Sequence, residues 1–236
     1  MAHTPNPIYA PPVAATEQVS PENISGTYGP FRKNGTLKNL LVSLLVLDAM
    51  LIIFNDGVIN FMDMRQYESA DYLVSETSSQ LDSIVLYSAW GKMGLSIILI
   101  IVFAIWINRS CKNAWLLDPP RMTITPAWSV GYYFIPILLL WKPYVAMKQI
   151  RSASYGKDHA LKAVLPLWWT LWIISMLIDN VSTRMLQDPE TVDDYLTGCK
   201  LVLVATPINV ILNYLAIALV TGITLAQQRR LINWHQ

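Results

Sequence analysis

Five long apolar stretches follow one another along the sequence, and none carries more than one charged residue. They span residues 39–54, 84–107, 127–147, 163–178 and 201–226. A helix needs about 20 such residues to cross the roughly 30 Å hydrocarbon core of a bilayer. Charged residues make up only 14% of the chain and apolar residues 53%, whereas soluble domains are about a quarter charged. These features predict an all-α integral membrane protein and exclude an ordinary soluble enzyme, a disordered chain and a nucleic-acid binder.

The segments between these stretches alternate in charge. Basic residues precede the first stretch, follow the second and the third, and recur near the end of the chain, whereas segments 60–82 and 179–200 are rich in acidic residues. Basic connections remain on the cytoplasmic side of a membrane. We therefore expect both termini in the cytoplasm and the two acidic connections on the opposite side.

The third stretch does not fit this alternation, because both of its flanks are basic. Pro136 lies near its middle, and proline breaks a helix where the chain can reverse. We predict a re-entrant or interfacial element over residues 126–147 on the cytoplasmic side, and the alternative is a fifth, kinked span. The four spanning helices are predicted at about 37–59, 83–107, 162–183 and 199–226.

The two ends of the chain are predicted to lie outside the membrane domain, which covers residues 36–228. Residues 1–35 contain frequent prolines and show no apolar period. Such a segment cannot bury enough apolar surface to offset its ordering entropy. We expect residues 1–35 to form a disordered cytoplasmic leader and residues 229–236 a cytoplasmic tail.

Four polar residues lie inside the predicted spans: Asp48, Lys92, Asn209 and Asn213. At 1.5 Å per residue, Asp48 lies about 16 Å from the inner face, and Lys92 and Asn209 lie about 12 and about 14 Å from the outer face. An unpaired charge at such depth costs about 2.5–3.5 kcal/mol. We therefore expect Asp48 to pair with Lys92, with Asn209 as a hydrogen-bonding neighbour. The cluster either packs helices together or lines a pathway for a ligand or ion.

Aromatic and basic residues concentrate in the third stretch and at the start of the fourth span. They form either an aromatic belt at the bilayer interface or a lipid groove, in which basic side chains meet anionic headgroups. The residues expected to contact lipid or headgroups are Trp128, Tyr132, Trp141, Lys142, Tyr144, Arg151, Trp168 and Trp172.

The same region is similar to a known family. The similar residues are Trp106, Arg109, Cys111, Asn113-Ala114, Thr125-Pro126, Trp128, the run Val130-Gly131-Tyr132-Tyr133-Phe134-Ile135-Pro136-Ile137, Leu140-Trp141-Lys142-Pro143-Tyr144, Ala146-Met147, Leu165-Pro166-Leu167-Trp168-Trp169 and Trp172. This pattern resembles the DUF4328 family of bacterial multi-spanning membrane proteins. Leu139 and Arg151 depart from it, since the family has an asparagine and a tryptophan there. The resemblance implies a bacterial inner membrane and supplies no catalytic residue.

No catalytic constellation is recognisable in the sequence. The histidines His3, His159 and His235 lie outside the apolar stretches, and two cysteines make no zinc cluster. There is no P-loop and no zinc-protease motif. We therefore expect a protein that is not an enzyme, without cofactor, metal or nucleic-acid partner.

Two functions remain open. The first is a non-enzymatic interaction protein: a scaffold, a sensor, or an accessory subunit that assembles with itself or with another membrane protein. The second is a small transport or lipid-handling protein that uses the polar residues inside the membrane, where ionisable side chains are usually functional.

Overall fold

The computed structural model of the chain describes residues 28–68, 76–156 and 161–234. Within these ranges all regular structure is helical. Most of the predicted disordered leader, residues 1–27, lies outside the described residues. The elements in chain order are α1 (Gly35–Ile52), a π-helical segment (Ile53–Ile59), α2 (Asn60–Glu68), α3 (Glu76–Leu117), a 3-10 turn (Pro119–Arg121), α4 (Pro126–Gly131), a second 3-10 turn (Tyr132–Phe134), α5 (Pro136–Leu139), α6 (Lys142–Tyr155), α7 (Val164–Gln187) and α8 (Val192–Trp234).

Four helical stretches of the described chain are long and apolar enough to cross a membrane. They are Gly35–Arg65, Leu86–Leu117, Val164–Gln187 and Val192–Ile232. Each overlaps most of one predicted span, so the expectation of an all-α membrane protein with four spanning helices is confirmed. Helices α3 and α8 extend beyond the predicted ends, because hydropathy marks the apolar part of a helix and not where its backbone hydrogen bonds stop.

Apolar side chains lie on the outside of the spans. In α3 the neighbouring residues Ile97, Ile98, Ile100 and Ile101 are all at least half exposed. Surface of this kind is unfavourable in water by about 25 cal/mol per Å², and lipid removes that penalty. Exposed isoleucines together with the buried serines Ser175 and Ser182 are the arrangement expected of a protein whose solvent is a bilayer.

The third apolar stretch is divided into short helices. Pro126 begins α4, where the Thr125 hydroxyl accepts the Trp128 backbone N–H at 3.4 Å. Pro136 begins α5, preceded by extended backbone at Ile135, as expected because proline disfavours the helical conformation of the residue before it. No helix of spanning length lies within 126–147, whereas the five-span alternative requires one.

The chain divides into two compact units. The bundle unit comprises Gly35–Trp106 and Leu161–Gly222, and the terminal unit comprises, among the described residues, 28–34, 107–156 and 223–234. Helices α3 and α8 each contribute residues to both units.

In the bundle unit, α2 is joined to α8 near the acidic connections. The Asn60 side chain donates to the Cys199 carbonyl oxygen at 2.9 Å, and the Tyr195 hydroxyl donates to Asp63. Nearby, α7 and α8 approach closely at Gly198, where an added Cβ would lie 3.0 Å from Leu186. Small residues allow such close approach between membrane helices.

In the terminal unit a buried amide, Gln227, connects three segments. Its Nε2 donates to the Ser110 carbonyl oxygen at 2.9 Å and to the Ser154 hydroxyl at 3.0 Å, while its Oε1 accepts from Asn113 at 3.1 Å. Buried polar groups need such partners, since an unsatisfied one costs about 1–3 kcal/mol.

Residues 28–34 pack within the terminal unit, although the sequence places them in the disordered leader. Tyr28 stacks on Trp115 with ring centroids 5.2 Å apart, and the Arg32 backbone exchanges two 2.9 Å hydrogen bonds with the Asn113 side chain. Residues 28–34 are therefore held by tertiary contacts, which local composition does not reveal because the partners lie about 80 residues away.

Candidate functional site

Helical periodicity places the polar residues of the spans on inward faces. In α1, Asp48 follows the buried Leu41 and Leu45 by seven and three residues, and these spacings share one helix face. In α8, Asn209 and Asn213 lie four residues apart among the buried Ala205, Leu212 and Ala216. In each helix the polar residues therefore lie on the same face as the buried apolar residues, and that face points into the bundle unit.

Asp48 and Asn213 contact each other. The Asn213 amide donates to Asp48 Oδ2 at 2.8 Å. An amide is a neutral donor, so it satisfies one carboxylate oxygen without compensating the negative charge. The predicted cluster is thus brought together in part, through Asn213.

Asn209 belongs to a second polar group, with Ser175 and Asp179 of α7. The Ser175 hydroxyl lies within hydrogen-bonding distance of Asn209 Oδ1 and 3.0 Å from Asp179 Oδ2. A hydroxyl has one proton, so it donates to one of these oxygens at a time. Ser175 and Asp179 are four residues apart, which places them on one face of α7.

Lys92 pairs with Asp56, and the predicted Asp48–Lys92 pair is wrong. The Lys92 ammonium nitrogen lies 2.5 and 2.7 Å from the two Asp56 carboxylate oxygens. Asp56 lies in the π-helical segment, eight residues beyond Asp48. The depth count failed because it treated Asp56 as a residue at the outer end of the first span, and because a lysine side chain reaches far from the level of its own Cα.

A cavity of about 790 Å³ opens among these groups within the bundle unit. It is lined by Asp48, Ser96, Trp172, Ser175, Met176, Asp179, Asn180, Thr183, Arg184, Asn209 and Leu212. Ligand sites are concave, about 300–1,000 Å³ in size, and combine apolar walls with a few convergent polar groups. This cavity has that composition, with two carboxylates, hydroxyls and amides against an indole and two aliphatic side chains.

The side chains that line this cavity can bind a polar or charged ligand. Its lining holds hydroxyls, carboxylates, amides and one guanidinium, but no histidine or cysteine. The described residues contain no group of three or more His, Cys, Asp or Glu side chains placed to hold a metal ion. Polar side chains at membrane depth that are hydrogen-bonded and face a cavity are typical of solute and ion pathways.

Comparison with known proteins gives one match. The family model described as domain of unknown function DUF4328 matches residues 70–225, two thirds of the chain. The chain belongs to the DUF4328 family. No curated protein and no solved structure matches it. The DUF4328 match contains Lys92, Asp179, Asn209 and Asn213, while Asp48 precedes it.

Two of the aromatic residues expected to contact lipid lie inside the bundle unit of this DUF4328 protein. Trp168 is buried and lies 6.4 Å from the ring of Phe103. Trp172 stacks on Trp169 at 4.9 Å and lines the cavity. The prediction of an interfacial role is therefore wrong for Trp168, whose burial at the start of α7 makes it a packing residue. Trp172 lines the cavity, whereas the sequence predicted that it contacts lipid.

The other expected lipid contacts lie in the terminal unit. The rings of Trp128 and Tyr132 stack with their centroids 5.2 Å apart. The Lys142 ammonium lies 5.6 Å from the centroid of the Tyr132 ring. Trp141 is exposed, whereas Tyr144 and Arg151 are half-buried. Between these residues Phe134 and Ile137 are 71% and 70% exposed, so this short-helix segment presents apolar and basic side chains together.

Tyr133, next to the exposed Phe134 in the sequence, has a buried hydroxyl. The Tyr133 hydroxyl is buried without a hydrogen-bond partner in the described part of the chain, and burial raises the pKa of Tyr133. The phenol therefore stays neutral at physiological pH. Its alternation with the exposed Phe134 shows that only one side of the 3-10 turn faces outward.

Sequence reasoning did not include three residues of the site: Asp56, Ser175 and Asp179. Asp56 and Asp179 lie at the outer ends of apolar stretches, where an acidic residue is expected in a loop. The spacing of Ser175 and Asp179 could have revealed them. They continue, at intervals of three and four residues, the helix face that begins with Leu165, Trp168 and Trp172.

Proposed function

We propose that this DUF4328 protein binds a small polar solute in the intramembrane cavity and acts in its transport across, or handling within, the membrane. The observation that carries the proposal is the cavity of about 790 Å³ whose lining includes Asp48, Ser175, Asp179 and Asn209. Packing alone needs hydrogen bonds between helices but no open volume. The cavity therefore favours the second of the two functions that the sequence left open, and the interaction-protein hypothesis stays a prediction.

The proposal includes self-association. Four spanning helices enclose little space on their own, and helices of one copy can complete a pathway begun by another. Most oligomers of a single chain are closed and symmetric, so a homodimer that shares the cavity face is the simplest form.

Cysteine accessibility tests the cavity directly. In a background with Cys111→Ala and Cys199→Ala, Ser175→Cys and Ser96→Cys are expected to react with a water-soluble methanethiosulfonate reagent in membranes, because both positions line the cavity. Ser182→Cys is the matched control. It lies on the same helix as Ser175 and is buried to a similar extent, but it does not line the cavity. Its labelling should therefore be at least about tenfold slower, since thiol reactivity requires access and ionisation.

Equal protection of all three thiols would contradict the proposal, because a solute site must admit water. Equal labelling of all three would contradict it too, since that result indicates a loosened bundle and not a defined cavity.

We further propose that the protein lies in a bacterial inner membrane with both termini cytoplasmic, and that residues 126–147 stay on the cytoplasmic side. The support is the basic charge on both flanks of this segment and the absence of a spanning helix within it. Its exposed Phe134, Ile137 and Trp141 with Lys142 suit contact with the acyl chains and anionic headgroups of the inner leaflet.

Reporter fusions test this topology. Alkaline phosphatase and green fluorescent protein fused after Arg121 and after Lys157 should both report a cytoplasmic position, because the intervening segment does not cross. A fusion after Pro189, in the acidic connection between α7 and α8, serves as the control and should report the opposite side. Opposite readings at Arg121 and Lys157 would refute the four-span topology.

A further inference from the structure

We propose that the solute of this cavity is a small organic cation, an amine or quaternary ammonium compound with an apolar body, held between the carboxylates of Asp48 and Asp179 and the indole of Trp172. This inference rests on the proposed function, because it names the class of solute that the cavity takes.

The first argument is charge. The described spans of the bundle unit contain the half-buried Asp48, Asp56 and Lys92 and the exposed Asp179. Lys92 is bound to Asp56 by both carboxylate oxygens. Lys92 also acts electrostatically on Asp179, but within the described residues neither Asp48 nor Asp179 forms an ion pair of its own.

The neutral partners of these carboxylates leave that charge in place. Asp48 accepts from an amide and Asp179 from a hydroxyl. The guanidinium of Arg184 also lines the cavity, and Asp179 and Arg184 are both exposed. The lining therefore contains two carboxylates and one guanidinium, a net charge of −1. A carboxylate surrounded by low dielectric is costly unless a positive charge lies beside it, so the interior of the cavity favours a cationic ligand.

The second argument is shape. A volume of about 790 Å³ is far larger than a desolvated metal ion and matches the range for organic ligands. Trp172, Met176 and Leu212 provide apolar walls, which suit a hydrocarbon body. The described residues also lack a group of three carboxylate, histidine or cysteine ligands for a metal.

The third argument is the aromatic face. Trp172 stacks on Trp169 at a centroid distance of 4.9 Å with the planes 27° apart, which limits the rotation of its indole ring. An organic cation within about 6 Å of a tryptophan ring is attracted by the ring quadrupole. A carboxylate pair and an indole at one cavity are therefore complementary to an ammonium group with an attached apolar body.

Two probes of the same shape separate charge from size. Benzyltrimethylammonium and neopentylbenzene differ in one central atom, nitrogen in the cation and carbon in the neutral compound. The full-length protein is reconstituted in nanodiscs of zwitterionic lipid, and binding is measured by equilibrium dialysis with empty nanodiscs subtracted. We expect the cation to bind at least about tenfold more tightly than the neutral compound, since only the cation is attracted by the carboxylates and by the face of the indole ring.

Asparagine variants test the carboxylates without removing their hydrogen bonds. Asp48→Asn and Asp179→Asn keep an oxygen that accepts from Asn213 and Ser175, so the fold is retained, and thermal melting in the same nanodiscs verifies it. Each should raise the Kd for benzyltrimethylammonium about tenfold or more. Trp172→Leu should raise it about two- to fivefold. Asp193→Asn, an exposed aspartate outside the cavity lining, is the matched control and should leave the Kd unchanged.

The outcomes distinguish this inference from the proposed function. Wild-type affinity in the Asp48→Asn/Asp179→Asn double variant, equal binding of the two probes, or failure of the cation to bind in the millimolar range would each overturn the cation site. If Ser175→Cys and Ser96→Cys are labelled in the same preparations, the cavity for a polar solute stands. If those thiols are protected as well, both proposals fail.

Discussion

Lys92→Ala is expected to destabilise the protein by about 3 kcal/mol, because it leaves the Asp56 carboxylate alone within a span. The two charges are 2.5 Å apart at closest approach. A charge within the hydrocarbon costs about 2.5–3.5 kcal/mol when it is left unpaired. The measurement is the free energy of unfolding in mixed micelles titrated with SDS, with intrinsic tryptophan fluorescence as the signal.

A double-mutant cycle attributes this loss to the pair. The Asp56→Ala/Lys92→Ala double variant should be less destabilised than the sum of the two single variants by about 1–3 kcal/mol, because it contains neither unpaired charge. Lys200→Ala, which removes an exposed lysine of α8, is the control and should change stability by less than about 0.5 kcal/mol. Strict additivity of Asp56 and Lys92 would show that they do not interact.

Trp106→Ala is expected to destabilise the protein by about 3–5 kcal/mol, the range for truncating a fully buried tryptophan. Trp106 is 0% exposed and stacks on Phe103 at 5.7 Å. The lost side chain leaves a cavity that the helical backbone of α3 cannot close. Thermal and SDS unfolding of the purified protein measure the effect.

The matched control is Trp90→Ala, the same substitution sixteen residues earlier in the same helix. Trp90 is 61% exposed, so lipid or detergent replaces the removed ring and no cavity forms. Its expected cost is below about 1 kcal/mol. Similar losses for the two variants would mean that burial does not determine the role of Trp106.

The four spans could be predicted from the sequence because crossing a bilayer requires long apolar helices, whatever their packing. The interruption of the third stretch was also predictable, since Pro136 restricts the backbone locally. The ends of the helices were harder to predict. Helix α3 begins at Glu76 and α8 ends at Trp234, where polar helical residues carry no hydropathy signal.

The candidate site could be predicted only in part. Asp48, Asn209 and Asn213 were found because polar residues in apolar segments are unusual. The side chains that bind them were not predicted, because which residues meet depends on how each helix is rotated about its axis and on its rise per residue. Lys92 was assigned to Asp48 by depth and binds Asp56, and Gln227 organises three segments of the terminal unit without any feature that marks it in the sequence.

The π-helical segment Ile53–Ile59 determines how the first span tolerates insertions and deletions. A π-helical turn contains more residues than an α-helical turn, so loss of one residue within the segment returns the backbone to α-helical hydrogen bonding and leaves both flanks in register. Loss of one residue near Leu45 instead rotates every later side chain by about 100° around the axis, turning Asn60 and Asp63 away from α8. Length changes in the first span are therefore tolerated best at residues 53–59, where they also alter which side chain faces Lys92.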